Sequence, residues 1–228
     1  MISNPIQTYW GLLASRHQPN AFAALDDAYR EPQRGYHDWS HIADLLEKLD
    51  ALKPLAVRPD LIAAAIFWHD SVYVTRDGDG LLRPDAENVR ASAALFERYS
   101  KFDRRDAAAV HELIMATANH LKARAATEHY SGFARDLDLF LDLDLSSLGA
   151  PWPAFEQNLA RIRFEYAWVP EPLFCLGRLQ MLETFAARGD ALYRLDETRK
   201  LWGASAQENF VRAQEKLRQQ VARLASSA

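Results

Sequence analysis

Cysteine is almost absent from the sequence, because the 228 residues contain only Cys175. One thiol cannot form an internal disulfide, which favours a reducing compartment, and we expect a cytoplasmic protein. Long apolar runs are also missing: the longest, Leu61 to Trp68, has eight residues, whereas a bilayer span needs about 20. The first ten residues lack a basic segment followed by an apolar one, so we expect no secretory signal and no membrane partner.

An excess of basic residues is missing too. The chain has 27 Lys and Arg against 31 Asp and Glu, which gives a net charge of −4. A surface for extended nucleic acid needs clustered positive charge, so we do not expect that partner. A small basic pocket for one phosphate remains compatible with this composition.

Glycine is scarce, with nine residues, and helix-forming residues dominate, which predicts an all-α protein. Helical periodicity runs over residues 20–30, 39–52, 60–73, 86–99, 104–121, 152–167, 171–187 and 204–224. Residues 60–73 are apolar on nearly every side, which predicts burial all round. We expect a single domain over residues 1–228, with a core at about 25–150 and C-terminal helices at about 152–226 packed on it.

Residues 136–145 fit two structures. Their alternation of leucine with polar residues is typical of a half-buried strand. A lone strand would have no partner for its backbone groups, and no second convincing strand is visible. Leu137, Leu141, Leu145 and Leu148 also stack at helical spacing, so we predict a helix.

A candidate site begins at the end of the apolar segment, where His69 and Asp70 follow Trp68. Burial of an unpartnered carboxylate is unfavourable, so something must compensate Asp70. A metal ion, an arginine or a helix terminus would each do so. The dipeptide alone is too common by chance to decide among them.

His37 and His41 are four residues apart and share a face if the segment is helical. Two neutral imidazoles at this spacing are a common metal-binding arrangement. We favour His41 as the ligand because its face carries Leu45 and Leu49. His37 either supports a ligand through a hydrogen bond or lies in the preceding loop.

Two further carboxylates, Asp142 and Asp144, stand in a leucine-rich segment. Either is a good oxygen ligand, although both could face water. His41, the pair His69–Asp70 and one of these aspartates would give two imidazoles and two carboxylates drawn from three helices.

This pattern resembles the H…HD…D signature of the HD superfamily. The sequence is similar in particular to a bacterial family described as predicted metal-dependent HD phosphohydrolases, which is sometimes mislabelled as a glutamate-receptor subunit. The similar stretches are 29–42, 65–73, 114–120, 142–149 and 162–170, with Gly177, Arg178 and Asn209 beyond them. Glu87 and Asn88 fit the family loosely, and Val89 stands where an acidic residue is expected.

The resemblance implies an HD-domain-like helical bundle that hydrolyses a phosphate ester or pyrophosphate in a nucleotide-like small molecule. By position, the metal ligands fall on His41, His69, Asp70 and Asp144; Asp144 is preferred to Asp142 because the superfamily's last ligand precedes a leucine. Nitrogen and oxygen ligands together suit Mn, Fe, Co, Ni or Zn, with Mg possible. Such a metal activates water and polarises a phosphoryl oxygen.

Other residues receive roles as expectations. Asp70 would also orient the attacking water, and His120 and His37 are further catalytic candidates, although His120 could be a core histidine bonded to a carbonyl. A transferred phosphate needs positive charge nearby. Arg34, Lys122 and Arg163 are the candidates for substrate binding, and each could instead be a surface or ion-paired residue.

Two other functions stay open. A di-iron HD-type oxygenase would use additional histidines between Asp70 and Asp144, where His111 and His120 lie. A non-catalytic sensor would bind a metal or a nucleotide at this site without hydrolysing a substrate. The C-terminal helix could form a homodimer through the stripe that contains Phe210 and Leu217. Trp39, Trp68 and Tyr73 could line a nucleobase pocket, and we expect His17 and His129 at the surface.

Overall fold

A computed structural model describes residues 4–226 and confirms the all-α class. Ten α-helices occur within that range, with no strand and only two isolated bridges, His17 to Ser100 and Arg76 to Leu82. The helices are α1 (Asn4–Leu13), α2 (Ala21–Tyr29), α3 (Trp39–Ala51), α4 (Pro59–Trp68), α5 (Asp85–Tyr99), α6 (Arg104–Ala116), α7 (Phe133–Asp144), α8 (Trp152–Glu165), α9 (Glu171–Ala186) and α10 (Asp196–Ser226). None of them combines the length and hydropathy of a membrane span.

The chain divides into two compact units, residues 1–143 and residues 144–228. In the first unit, α4 is the central helix and contacts α1, α3, α5 and α6. Its residues from Leu61 to Trp68 are all completely buried, as their apolar pattern predicts. The single domain over residues 1–228 stays a prediction.

Helix α4 ends at Trp68, although its periodicity predicts a helix to residue 73. The Trp68 carbonyl accepts hydrogen bonds from the backbone N–H of Ser71 at 3.1 Å and from its hydroxyl at 2.8 Å. The N–H of Val72, which would continue the helix, donates instead to Ser92 Oγ on α5 at 3.0 Å. The chain therefore leaves the helix at His69 and forms a turn, residues 69–73, which we call the His-Asp turn.

The alternating segment 136–145 is helical, as predicted, up to Asp144. Its first aspartate, Asp136, is fully buried and holds the start of α4. The carboxylate accepts from the N–H groups of Val57 and Arg58, both at 2.7 Å, and from the Tyr130 hydroxyl at 2.8 Å. The two N–H groups lie just before α4, where a helix has no internal acceptors for them.

His17 is buried, so its expected place at the surface is wrong. Its Nδ1 bonds to the Leu13 carbonyl at 2.9 Å, and its Nε2 lies 3.1 Å from Trp68 Nε1, which donates. Because a carbonyl only accepts and an indole N–H only donates, the ring is the neutral Nδ1–H tautomer. Burial and the charge of Arg16 lower the pKa of His17 against the opposing effect of the Leu13 bond.

The lowered pKa of His17 predicts a pH dependence of stability. The unfolded state binds a proton near the ordinary pKa of 6.5, whereas the folded state resists it. The stabilising contribution is therefore complete above that value and declines as the pH falls below it. We expect wild type to lose more unfolding free energy than His17→Phe between pH 7 and pH 5, measured by urea titration. Equal losses would contradict this reading.

In the second unit, α10 packs on α8, α9 and the short 3₁₀ turn Leu145–Gly149. The stripe that suggested a homodimer runs through four residues of α10. Phe210 and Leu217 are buried within the chain, and Val221 and Leu224 are half-buried. A homodimer therefore stays a prediction without support from an exposed stripe. Tyr193 donates to the Leu145 carbonyl at 3.1 Å, and the Asn209 amide donates to the Leu148 carbonyl at 2.9 Å.

Gly149 lies against α10 too closely for a side chain. A Cβ there would lie 2.5 Å from Trp202 Cβ and 2.6 Å from the Trp202 carbonyl oxygen. We expect Gly149→Ala to lower the unfolding free energy by about 1–3 kcal/mol, because the overlap includes backbone. Gly177→Ala on α9 is the control, since nothing lies within 4 Å of its Cβ position. Urea titration with equal results for both variants would contradict the close packing.

Candidate metal centre

Three of the four predicted metal ligands come together in the first unit. The candidate ligand atoms of His41, His69 and Asp70 all lie within 4.8 Å of one another. His69 Nε2 is 2.9 Å from Asp70 Oδ2, and His41 Nε2 is 3.7 Å from the same oxygen. Among residues 4–226 this is the one such group of three or more His, Cys, Asp or Glu side chains.

The cluster is buried on its histidine side and more open on its carboxylate side. The exposed fractions of the side chains are 2% for His41, 1% for His69 and 16% for Asp70. The imidazoles come from the first turn of α3 and from the residue after α4. Phe140 of α7 packs edge-on against His69, with ring centroids 5.9 Å apart. A molecule from solvent would therefore approach along Asp70.

The hydrogen bond of His69 fixes which ring nitrogen carries a proton. Nδ1 lies 3.0 Å from the Ile66 carbonyl, and a carbonyl only accepts, so Nδ1 is the donor. In the neutral ring, Nε2 then directs its lone pair toward the Asp70 carboxylate oxygen at 2.9 Å. Two acceptors at that distance repel each other unless a proton or a cation lies between them. This is the usual arrangement of a metal-binding histidine, whose other nitrogen donates to a backbone carbonyl.

Arg34 has a different environment from the one its predicted role in substrate binding implies. Its side chain is 1% exposed. It donates to the carbonyls of His37 at 3.1 Å, Asp70 at 2.6 Å and Ser71 at 3.1 Å. Its Nε donates to Glu31 at 2.9 Å. These contacts favour a positioning role, and binding of substrate by Arg34 stays a prediction.

Helix α5 holds the other side of the His-Asp turn. Asn88 is buried and makes two bonds with Val74, accepting from its N–H at 3.2 Å and donating to its carbonyl at 3.0 Å. Ser92, also buried, accepts from Val72 N–H. In the sequence, Asn88 is only a loose match to a family position. Its amide satisfies both backbone groups of one residue just beyond the turn.

His37 lies beside the cluster rather than in it. Its ring stacks on Tyr73 with centroids 3.7 Å apart, and it lies 6.0 Å from the ring of His41. Tyr36 is buried, and its ring lies 5.0 Å from that of His41. The structure places His37 in the loop before the N-cap Asp38, one of the two places that the sequence left open, so His37 does not share a helical face with His41. Its catalytic role stays a prediction.

The other predicted site residues are Lys122, His120, Arg163 and Asp144. Lys122 is exposed, and His120 follows the 3₁₀ turn Thr117–Asn119. Arg163 donates to the carbonyls of Tyr166 and Val169 and so holds the end of α8. Asp144 ends α7 and is the first residue of the second unit. The roles of Lys122, His120 and Asp144 stay predictions.

Several other aromatic and histidine residues have structural contacts. Trp39 is half-buried and donates to Asp26 at 2.8 Å, whereas Trp68 is fully buried and donates to His17. His111 lies 2.8 Å from Glu97. His129 pairs with Glu112 at 2.8 Å and its side chain is 10% exposed, so it is half-buried rather than open to solvent.

Comparisons of the chain with protein-family models, curated proteins and solved structures give no match. Membership of the HD superfamily therefore stays a proposal that depends on the residues themselves.

Proposed function

We propose that this protein is an HD-type, metal-dependent phosphohydrolase that acts on a phosphate ester or pyrophosphate of a nucleotide-like molecule. The observation that carries the proposal is the convergence of His41, His69 and Asp70 to within 4.8 Å. His69 and Asp70 are adjacent in the sequence, and His41 lies 28 positions before His69. Only the fold brings His41 to the other two. The resemblance to the HD signature names the same three residues.

The donor set fits a transition-metal ion. Two imidazole nitrogens and a carboxylate oxygen suit Mn, Fe, Co, Ni or Zn better than Ca. The bond from His69 Nδ1 to the Ile66 carbonyl leaves Nε2 facing the Asp70 oxygen. Nε2 is therefore the nitrogen that would bind a metal ion. A divalent ion between Nε2 and the Asp70 oxygen would replace acceptor repulsion with two attractive contacts. His41, His69 and Asp70 are therefore the residues that would hold it.

The bound ion would supply Lewis acidity toward water and toward a phosphoryl oxygen. The protein would supply the remaining steps. Asp70, the most exposed of the three side chains, would accept a hydrogen bond from the attacking water and orient it. The two buried imidazoles would exclude bulk water from the other side. His37 and Tyr73 form a stacked pair next to His41 and would form one wall of the site.

The di-iron alternative has less support. A second iron would need further ligands from His111 and His120, and His111 pairs with Glu97 on the surface. Residues 4–226 offer no separate group of three or more ligand side chains. A count of two irons per chain would nevertheless restore that alternative.

Elemental analysis joined to an activity screen tests the proposal. We expect purified wild type to contain about one transition metal per chain. A panel of phosphomonoesters, phosphodiesters and nucleoside triphosphates should reveal hydrolysis that chelation removes and metal restores. Stoichiometric metal with no turnover across the panel would favour a sensor. Absence of bound metal, with none taken up from Mn, Co, Ni or Zn, would refute the proposal.

A further inference from the structure

Arg34 connects the two chain segments that carry the proposed ligands. One is the loop before α3, which ends at the N-cap Asp38 and leads to His41. The other is the His-Asp turn. The guanidinium donates to the His37 carbonyl in the first segment and to the Asp70 and Ser71 carbonyls in the second. One planar group therefore sets the separation of both segments.

The surroundings of Arg34 hold its side chain in one position. Glu31 accepts from Nε at 2.9 Å. The guanidinium carbon lies 5.2 Å from the centre of the Tyr29 ring. The Tyr29 hydroxyl donates to the Phe67 carbonyl at 2.9 Å, two residues before His69. The end of α2 thus attaches to the last turn of α4, and the loop after α2 attaches to the His-Asp turn that follows α4.

We infer that Arg34 is a positioning residue that sets the geometry of the metal centre, an inference that rests on the proposed function. The bond to the Asp70 carbonyl fixes the backbone of the residue whose carboxylate oxygen lies 2.9 Å from His69 Nε2 and 3.7 Å from His41 Nε2. The bond to the His37 carbonyl fixes the approach of the chain to α3, whose first turn carries His41. A guanidinium is permanently charged and forked, so it holds several carbonyls in fixed directions.

This role differs from phosphate binding, the function that its place in the sequence predicts. Four hydrogen bonds to protein acceptors already engage Nε, Nη1 and Nη2. A phosphate-binding arginine presents two parallel N–H groups to the ligand, and a side chain that is 1% exposed does not present them to solvent.

Titration of the metal-free protein with Co²⁺ distinguishes the two roles. We expect Arg34→Met to weaken Co²⁺ binding by about 10- to 100-fold, the range found when a residue that supports ligands is lost. The visible absorption of the bound Co²⁺ should also change, because it reports ligand geometry. Arg34→Lys keeps the charge but not the fork, so we expect weakened binding there as well. Glu31→Ala should give a smaller loss.

Arg58→Met is the control for a general loss of stability. Arg58 pairs with Asp60 at 2.8 Å and with Asp106 at 2.9 Å. Neither partner is one of the three proposed ligands. The variant should melt at a lower temperature but bind Co²⁺ as wild type does.

Unchanged Co²⁺ affinity and spectrum in Arg34→Met would overturn the inference. A raised KM for a phosphate ester that wild type hydrolyses would then favour phosphate binding by Arg34. If Arg34→Met does not fold, unchanged affinity in both Arg34→Lys and Glu31→Ala would overturn it equally. Failure of wild type itself to bind Co²⁺ would instead refute the proposed function.

Discussion

Asp70→Asn is expected to lose its bound metal and at least about 100-fold of any hydrolytic activity, while remaining folded. The loss should exceed the 10- to 100-fold that removal of a supporting residue causes, because a charged ligand disappears. The variant should nevertheless be stable without metal. The new amide can donate to His69 Nε2, which in wild type lies 2.9 Å from a carboxylate oxygen. Elemental analysis, turnover and melting temperature of the metal-free proteins measure the three effects.

Asp44→Asn is the matched control for this experiment. Asp44 lies on the same helix as His41, and its side chain is 45% exposed and paired with Lys48. It should keep both metal and activity. Retention of stoichiometric metal by Asp70→Asn would contradict the assignment of Asp70 as a ligand, whatever its activity.

Of the substitutions proposed here, Asp136→Ala should give the largest loss of stability, roughly 3–5 kcal/mol of unfolding free energy. The substitution leaves three donors without their acceptor: the N–H groups of Val57 and Arg58 and the Tyr130 hydroxyl. A buried donor left unsatisfied costs about 1–3 kcal/mol; the Tyr130 bond is buried and the two N–H bonds are partly buried. Because the two N–H groups lie just before α4, the helix that leads into His69 would lose its N-terminal anchor. Urea titration monitored by circular dichroism measures the change.

Two variants test whether the effect comes from these bonds. Tyr130→Phe removes only the hydroxyl, so about 1 kcal/mol is expected. Asp27→Ala replaces an exposed aspartate on α2 and should change the free energy by no more than about 0.5 kcal/mol. A loss in Asp136→Ala no larger than in Asp27→Ala would contradict the anchoring role.

The helices were predictable because burial in this protein follows local periodicity. Leu45 and Leu49 share one face of α3, and the continuous apolar run of α4 matches a helix with no exposed side. The end of α4 was not predictable, because residues far away in the sequence determine it. Ser92 lies 24 residues after Trp68 and Arg34 lies 34 residues before it. The burial of His17 has the same cause. Its neighbours in sequence are polar, and the rings of Trp68, Phe96 and Phe102 that pack on it come from distant parts of the sequence.

The site was predictable in its residues but not in its supporting bonds. His-Asp after an apolar helix and a histidine on the inner face of α3 are local patterns, and both point to the cluster. The role of Arg34 was not visible, because an arginine near candidate ligands in sequence suggests a phosphate site as readily as a structural one. Only the directions of its bonds to His37, Asp70 and Ser71 separate these possibilities.

Anomalous diffraction from crystals of the Co²⁺-loaded protein tests the central claim most directly. One cobalt peak should appear within bonding distance, about 2.0–2.2 Å, of an imidazole nitrogen of His41, an imidazole nitrogen of His69 and a carboxylate oxygen of Asp70. A peak bound elsewhere, or fully loaded crystals with no cobalt among these three side chains, would contradict the metal centre and leave the helical fold without an assigned function.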